Sequence, residues 1–443
     1  MTTVQTHTRE FNRLLDSREA RIGVVGIGYV GLPLALAFVA AGFKVLGFDV
    51  NPTKVAQLNR GEPYLHHLDP APLRAARAED RLFATTDFSR LAECDAVLIC
   101  VPTPLTAQRE PDVSFIARSA EAVRDRLRPG QLIVLESTSY PGTTDELVKG
   151  ILEQTPLRAG QDFFLGYSPE REDPGNREFS TSTIPKIVGG VDEVSAQLTQ
   201  ALYAKAIERT IAVSSSRAAE AVKLTENIFR AVNIALVNEL KIVYDRMGID
   251  IWEVLDAAST KPFGFMRFNP GPGLGGHCVP LDPFYLTWKA REYGLSTRFV
   301  ELAGEVNEAM PRYVLEKAQA ALNARGKPLK NARVLLLGVA YKRDIDDARE
   351  SPAFHLIDLF NSYGARVEYH DPHIPELVHE TRKSGDVRMS SRALSPEVLR
   401  ATDAVVIVTD HSAVDYRLVL EHAPLIVDTR GVLRERHPNV VRA

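Results

Sequence analysis

Apolar positions along the chain alternate between short continuous runs and one long helical period. Arg21-Ile22-Gly23-Val24-Val25 reads as a buried parallel strand, and Gly26-Ile27-Gly28-Tyr29-Val30-Gly31 turns it into an apolar helix over Leu32 to Ala41 that stops at Gly42. A second strand, Lys44 to Phe48, ends at Asp49. Strand-like runs follow at Asp95 to Val101, Gln131 to Glu136 and Phe163 to Tyr167, each leading into a polar or Pro-rich loop. From about Ser214 to Met247 the period becomes helical without Pro or Gly, carrying Ala219, Val222, Phe229, Val232, Leu236 and Leu240. A helix this long links domains or pairs subunits. After a hinge-like stretch at Asn323 to Pro328, strands are expected at Ala332 to Val339, Ala365 to Tyr369, Asp403 to Thr409 and Leu425 to Val427, with a helix at Ser351 to Asn361. The pattern predicts an α/β protein: two Rossmann-like, doubly wound domains joined by a central helical domain with a long connecting helix. The expected divisions are a tail or short amphipathic helix at 1–20, a dinucleotide-binding domain at 21–212, a helical domain at 213–324 and a second α/β domain at 325–443.

The opening βαβ unit has the parts that a dinucleotide needs. Its glycines allow a tight turn and close backbone approach, a helix N-terminus faces the pyrophosphate, and Asp49 stands about 20 residues on for the ribose hydroxyls. Ligands in open α/β sheets bind at the carboxyl ends of strands, so the loops Val101-Pro102-Thr103-Pro104 and Ser137-Thr138-Ser139-Tyr140-Pro141-Gly142 are candidate walls of that cleft, or plain strand-to-helix turns.

A net charge of −4 leaves no basic footprint for nucleic acid and no polybasic membrane patch, which favours a soluble protein acting on a small molecule. Met1 to Ala20 lacks the apolar core of a secretory signal, and no run approaches the ~20 residues of a membrane span. The three cysteines, Cys94, Cys100 and Cys278, are too scattered for a disulfide framework or a zinc spacing, so a reducing cytoplasm is expected. Cys94 and Cys100 flank a buried strand and read as structural. His66-His67 with Asp69 suggests metal on composition, but there is no second cluster and a surface loop is the better reading.

Cys278 differs because it follows Gly273-Leu274-Gly275-Gly276-His277, a loop rather than a core strand. It is either a small buried hydrophobe or a nucleophile. An aldehyde gives up hydride only after a nucleophile adds to it, and a thiolate adds readily. Lys223 and Asn227 stand four residues apart, hence on one helix face, as a solvated pair or as paired donors.

Taken in order, five blocks resemble the UDP-glucose/GDP-mannose dehydrogenase family over almost the whole chain after the first ~20 residues. They are Gly26 to Pro33, Ser168-Pro169-Glu170, Glu220 to Asn227, Gly275-Gly276-His277-Cys278, and Tyr341 to Ser351. The resemblance implies a four-electron oxidation of a sugar C6 hydroxymethyl to a carboxylate, with two NAD⁺ consumed. Cys278 would form a thiohemiacetal and then a thioester; Lys223 and Asn227 would stabilise the oxyanion and hold water. Asp282 would orient a water or the lysine, Glu170 would act as base in thioester hydrolysis, and Thr138 would share the water network. A raised pKa would suit Glu170 in that role.

By the same resemblance, Gly26, Gly28, Tyr29, Val30 and Gly31 contact the pyrophosphate, Asp49 the adenosine ribose, with Lys54 nearby, and Thr103, Thr138 and Arg349 the nicotinamide side. Asp49 favours NAD over NADP because a carboxylate repels a 2′-phosphate. Substrate contacts would come from Arg267, Phe268, Asn269, Gly271, Gly273 and Gly275, with Lys342 near the phosphates and Glu170, Arg171, Lys223 and Asn227 near the sugar. A UDP-sugar substrate, no metal, and a homodimer or higher oligomer through the central helix are implied.

Two features set the chain apart from the glucose-specific branch. His277 replaces a serine before the cysteine, and Glu170 is followed by Arg171-Glu172-Asp173-Pro174-Gly175-Asn176. Both resemble the bacterial branch acting on UDP-N-acetylhexosamines, with UDP-N-acetylglucosamine as the best match. UDP-glucose, UDP-N-acetylgalactosamine and UDP-N-acetylmannosamine are the alternatives. Arg171 would reach a 2-acetamido carbonyl, and His277 would mark substrate choice. Rival classes are a two-electron hydroxyacid dehydrogenase, which leaves Cys278 and the last domain unexplained, an NAD-using nucleotide-sugar epimerase, which generally shows a Tyr-x-x-x-Lys pair, and a non-catalytic nucleotide-binding regulator.

Overall fold

The computed structural model describes residues 2–65, 69–106, 108–172, 179–276, 279–381 and 385–443. Packing groups them into two compact units, Met1–Glu226 with Phe284–Ser296, and Asn227–Pro283 with Thr297–Ala443.

The first unit is built on eight strands: β1 (Arg21–Val25), β2 (Lys44–Phe48), β3 (Leu82–Thr85), β4 (Ala96–Ile99), β5 (Leu132–Leu135), β6 (Phe164–Tyr167), β7 (Lys186–Gly190) and β8 (Thr210–Ala212). They lie in the order β3-β2-β1-β4-β5-β6-β7-β8, parallel throughout except for the β6–β7 pair. The central strands are apolar on both faces because both faces are covered. Ile22 and Val24 point into one core with Leu32, Ala35 and Phe38, while Val25, Val97 and Ile99 point into the other with Ile116 and Ala120. Strand order reverses between β1 and β4, which makes their carboxyl ends the switch point where such sheets take ligands.

Residues 3–16 form a helix opened by a Thr2–Gln5 capping box, and it buries Phe11 and Leu15 in the same core as Phe38. Strands β3, β7 and β8 carry no clean signal in the sequence; β7 opens on a lysine, Lys186, that is nonetheless buried.

The second unit holds a five-stranded parallel sheet, β10-β9-β13-β14-β15, from β9 (Arg333–Leu337), β10 (Arg366–His370), β13 (Ala404–Ile407), β14 (Ile426–Asp428) and β15 (Val440–Arg442). An antiparallel pair, β11 (Glu376–Thr381) and β12 (Gly385–Ser390), stands apart from it. The sheet's core includes Leu336, Val406, Leu356 and Phe360, the last two from helix Pro352–Ser362.

The long helix Ser216–Met247 begins in the first unit and continues in the second. Its apolar period splits between two faces. Ala231, Ala235, Val237 and Asn238 are buried, whereas Phe229 (48%), Leu236 (52%), Val243 (46%) and Met247 (63%) are exposed. No described helix is long and apolar enough to cross a membrane.

Candidate active site

At the end of β1 the three glycines of the turn meet three different constraints. Gly26 has φ +88°, and a Cβ there would stand 2.6 Å from the Cys100 carbonyl oxygen. A Cβ on Gly31 would lie 2.0 Å from the Gly26 carbonyl, so only glycine lets helix Gly31–Ala40 pack this tightly on its strand. Gly28 has nothing within 4 Å of its Cβ position. Packing does not require glycine there, and the bare backbone leaves room for a diphosphate. No side chain caps the helix at Val30 among the described residues, so its positive end faces the turn uncovered.

Asp49 reaches back across this turn. Its carboxylate accepts the Ile27 N–H at 3.2 Å and the Asn51 N–H at 2.9 Å, while the Tyr64 hydroxyl donates to the Ile27 carbonyl. The Lys54 ammonium sits 5.6 Å from the Tyr64 ring centre. Thr103 is buried beyond β4, its carbonyl accepting from the Tyr285 hydroxyl, and half-buried Thr138 follows β5. The residues present therefore suit an adenine dinucleotide, with the glycine turn on the phosphates and Asp49 beside the ribose.

Further along the same sheet the Lys186 ammonium is shared between two carboxylates, Glu136 at 2.7 Å and Glu170 at 3.1 Å. Tyr203 donates its hydroxyl to Glu136. Glu170 also accepts the N–H groups of Arg171 and Glu172, and its own carbonyl receives the Lys223 ammonium. Burial pushes Glu170 up, but the charge and hydrogen bond of Lys186, the Lys223 charge and the Glu172 N–H together outweigh it and hold this carboxyl below the ordinary range. The raised pKa expected to suit Glu170 is found instead on its neighbours, where burial dominates: Glu136 and Glu172 are each pushed up to about 7. Lys186 and Glu136 escaped the sequence reading because each looks like an ordinary strand-end charge, and only the β5–β6–β7 order brings them together.

Glu220, in the block read as part of the resemblance, is buried and accepts the Gly142 N–H at 2.6 Å and the Thr144 N–H and hydroxyl at 2.9 and 2.7 Å. It ties the long helix to the loop after β5, which carries Thr138. Arg171 pairs with Glu226 at 2.6 Å and donates to the Pro185 carbonyl at 2.6 Å.

In the second unit Asn227 and Asp282 are both buried, and the amide donates to the carboxylate at 2.5 Å. Asp282 opens helix Asp282–Glu292, four positions after the expected thiol. The glycine-rich approach is held from several sides. Asn238, unmarked in the sequence, accepts the Gly271 N–H at 2.9 Å and donates to Asn307 at 2.9 Å. A Cβ on Gly271 would reach 2.6 Å from the Arg430 guanidinium, and one on Gly275 would strike Tyr341 at 2.7 Å. Gly273 has φ +135°, and Gly276 donates to the Arg349 carbonyl at 3.1 Å.

Arg267 is held by Asp256 and by Asn269 at 3.0 Å, and Phe268 packs edge-on to Phe229 with ring centres 5.7 Å apart. Lys342 follows Tyr341 in the loop after β9, and Arg349 pairs with Asp347 at 2.6 Å. The expected residues thus form two groups, Gly26 to Lys223 in the first unit and Asn227 to Arg349 in the second. Lys223 and Asn227 are one turn apart on the long helix.

Cys278 and His277 lie outside the described residues, as do His66, His67 and Pro174. Cys94 and Cys100 are buried, and burial pushes the Cys94 thiol up to about 12 and Cys100 well above its ordinary value. Ligand atoms of Asp344, His373 and His411 do come together within 4.8 Å. Both His411 ring nitrogens are engaged, Nδ1 accepting the Asp344 N–H at 3.0 Å and Nε2 facing Asp371 at 3.1 Å.

A largely parallel sheet with this glycine cradle at its switch point defines a dinucleotide-binding protein of the Rossmann type. The chain matches the UDP-glucose/GDP-mannose dehydrogenase family in all three of its parts: the NAD binding domain over residues 20–207, the central domain over 217–309 and the UDP binding domain over 335–435. It belongs to that family. It is 38% identical over 369 residues to UDP-N-acetyl-D-glucosamine 6-dehydrogenase of Pseudomonas aeruginosa, covering 82% of this chain and 86% of the relative. Among solved structures it resembles UDP-D-ManNAc dehydrogenase from Pyrococcus horikoshii, with a TM-score of 0.86 and 31% identity over 95% of this chain and 98% of the other. It also resembles NDP-N-acetyl-D-galactosaminuronic acid dehydrogenase from Methanosarcina mazei Go1, with a TM-score of 0.79 and 32% identity, over 100% and 97% of the two chains.

Proposed function

We infer that the chain oxidises the C6 hydroxymethyl of UDP-N-acetylglucosamine to the uronic acid through a thioester on Cys278, for the synthesis of a surface polysaccharide. NAD⁺ held by the Gly26–Gly31 turn and Asp49 would supply the hydride acceptor for each of the two oxidations. Lys223 and Asn227 stabilise the C6 oxyanion, the alkoxide of the first oxidation and then that of the thiohemiacetal formed when the Cys278 thiolate adds to the aldehyde. Loss of hydride from that adduct leaves the thioester. Glu170, ionised beside Lys186, then takes a proton from the water that attacks the thioester carbon, and the thiolate leaves as the carboxylate forms. Thr138 shares the water's hydrogen bonds, and Asp282 fixes Asn227 for its part.

The observation that carries this reading is the buried Asn227–Asp282 hydrogen bond, because it holds an amide donor in one orientation beside the start of the helix that follows Cys278. The run Ser168-Pro169-Glu170-Arg171 supports a UDP-N-acetylhexosamine, and the 38% identical relative favours UDP-N-acetylglucosamine among them. The structural likeness to the Pyrococcus enzyme supports UDP-N-acetylmannosamine as the second reading. The exposed row Phe229, Leu236, Val243 and Met247, on one helix at mostly seven-residue spacing, supports a homodimer paired through the long helix.

Following NADH while offering UDP-glucose, UDP-N-acetylglucosamine, UDP-N-acetylgalactosamine, UDP-N-acetylmannosamine and GDP-mannose tests substrate and stoichiometry together. Two NADH per acid are expected with UDP-N-acetylglucosamine, and one per product would overturn the four-electron reading. Cys278→Ser should stop acid release; turnover at the unaltered rate would refute the thiol.

A further inference from the structure

Lys186 opens β7 with a side chain only 4% exposed, and its ammonium lies between the carboxylates of Glu136, after β5, and Glu170, after β6. Both contacts reach an Oε2, at 2.7 and 3.1 Å, and the ammonium stands 5.4 Å from the Tyr203 ring centre. Glu136 is fully buried, and its Oε1 accepts the Tyr203 hydroxyl. Burying an ammonium this deeply is expensive unless carboxylates compensate it. Two do so here, and one of them belongs to the site.

The two oxygens of Glu170 are not equivalent. Oε1 accepts the N–H groups of Arg171 at 2.7 Å and Glu172 at 2.6 Å, which takes up both of its lone pairs. Among the described residues Oε2 accepts from Lys186 alone, and so keeps a lone pair for a proton. The Glu170 side chain is 13% exposed and that of Glu136 0%, so water can reach the first carboxylate but not the second.

We propose that Lys186 is a positioning residue for thioester hydrolysis: anchored by Glu136, its ammonium turns Glu170 so that Oε2 receives the proton of the attacking water, and keeps that carboxylate charged between turnovers. This rests on the reading of Glu170 as the hydrolytic base. The other groups around Glu170 do not replace Lys186. Lys223 donates to the Glu170 backbone carbonyl rather than to its carboxylate, and Arg171 is committed to Glu226. Cys100 and Tyr203 are neutral, because burial pushes both well above their ordinary values. Glu172 shows what this pocket does to a carboxyl whose described side-chain partner is the Thr181 hydroxyl and not a lysine: burial pushes it up to about 7. Glu170, two residues earlier, is held below its ordinary range against its own burial, by Lys186 first and by Lys223 and the Glu172 N–H after it.

The test follows acid release in single turnovers from about pH 5 to 9, with enzyme and NAD⁺ in excess over whichever of the five UDP- or GDP-sugars named above is oxidised fastest. NADH formation, recorded in parallel, reports the oxidations that precede hydrolysis. In the unaltered enzyme the rate of acid release should stay level down to about pH 5, since Glu170 remains ionised. In Lys186→Met it should fall about tenfold per pH unit below a limb that lies at least about one unit higher. Lys186→Arg restores the charge and should bring the limb back down. If Lys186→Met does not fold because two carboxylates lose their partner, Lys186→Met combined with Glu136→Gln removes the buried pair together and should show the same raised limb. A slower rate with an unmoved profile is what a purely structural lysine would give, and it overturns the proposal, as does a raised limb that Lys186→Arg leaves in place. Glu170→Gln separates the two readings. Acid release at the unaltered rate in that variant refutes Glu170 as the base, whereas its loss beside a level Lys186→Met profile refutes the role of Lys186 alone.

Discussion

The Asn227 amide donates to the Asp282 carboxylate at 2.5 Å in a buried setting. Two residues that sequence marks separately as catalytic thus work as one unit. Removing either takes a buried hydrogen bond from the other, so their effects should not add. Asn227→Ala is expected to lower kcat about 10²–10³-fold, and Asn227→Ala with Asp282→Asn to cost little more than the worse single change. Steady-state kinetics on the four proteins decide this; strictly multiplicative losses would show that the two act independently.

The glycine cradle separates packing from binding. Gly31→Ala puts a methyl 2.0 Å from a backbone oxygen and is expected to destabilise the protein by about 1–3 kcal/mol or more. Gly28→Ala meets nothing in the protein itself, so its melting temperature should stay near that of the unaltered chain while the KM for NAD⁺ rises about tenfold or more. Thermal unfolding and NAD⁺ titration of the pair distinguish the roles. Equal loss of stability in both would mean that Gly28 is also structural.

Glu220 links stability to pH. Burial pushes it up to about 7 from an ordinary value of 4.5, against the Gly142 and Thr144 donors. A carboxyl whose folded-state pKa is raised binds its proton more tightly when folded. Its contribution is full below about 4.5 and is lost as pH rises through about 7. Between pH 5 and 8 this one group should account for about 2–3 kcal/mol of falling stability, which Glu220→Gln should remove. Denaturant unfolding at the two pH values gives the slopes; an unchanged slope in the variant would reassign the effect to Glu136 or Glu172.

Pairing of two chains through the long helix predicts that Leu236→Asp with Val243→Asp yields a monomer by light scattering, because both side chains are about half exposed on one helix face. Fold should be retained, since neither residue belongs to a buried core. An oligomer unaffected by both changes would place the interface elsewhere.

Local chemistry made much of this protein legible in its sequence. The βαβ glycines, the acid after β2, the two parallel-sheet patterns and the long helical period follow from chain stiffness and apolar spacing, which act over a few residues. Strands β7 and β8 were not legible in the same way, because Lys186 looks like a surface charge until β6 and β7 set it between Glu136 and Glu170. The same network decided which carboxyl is raised: burial lifts Glu136 in spite of Lys186, while Lys186 joined by the Lys223 charge and the Glu172 N–H holds Glu170 below its ordinary range. Periodicity placed Phe229 and Leu236 with Ala219, but only packing showed which face of the helix is covered. Asn238, which ties Gly271 to Asn307, is an ordinary polar residue in sequence. The role of Asn238 comes from partners 33 and 69 positions away, a separation that local pattern cannot bridge because it carries no information about which distant groups share a buried, low-dielectric space.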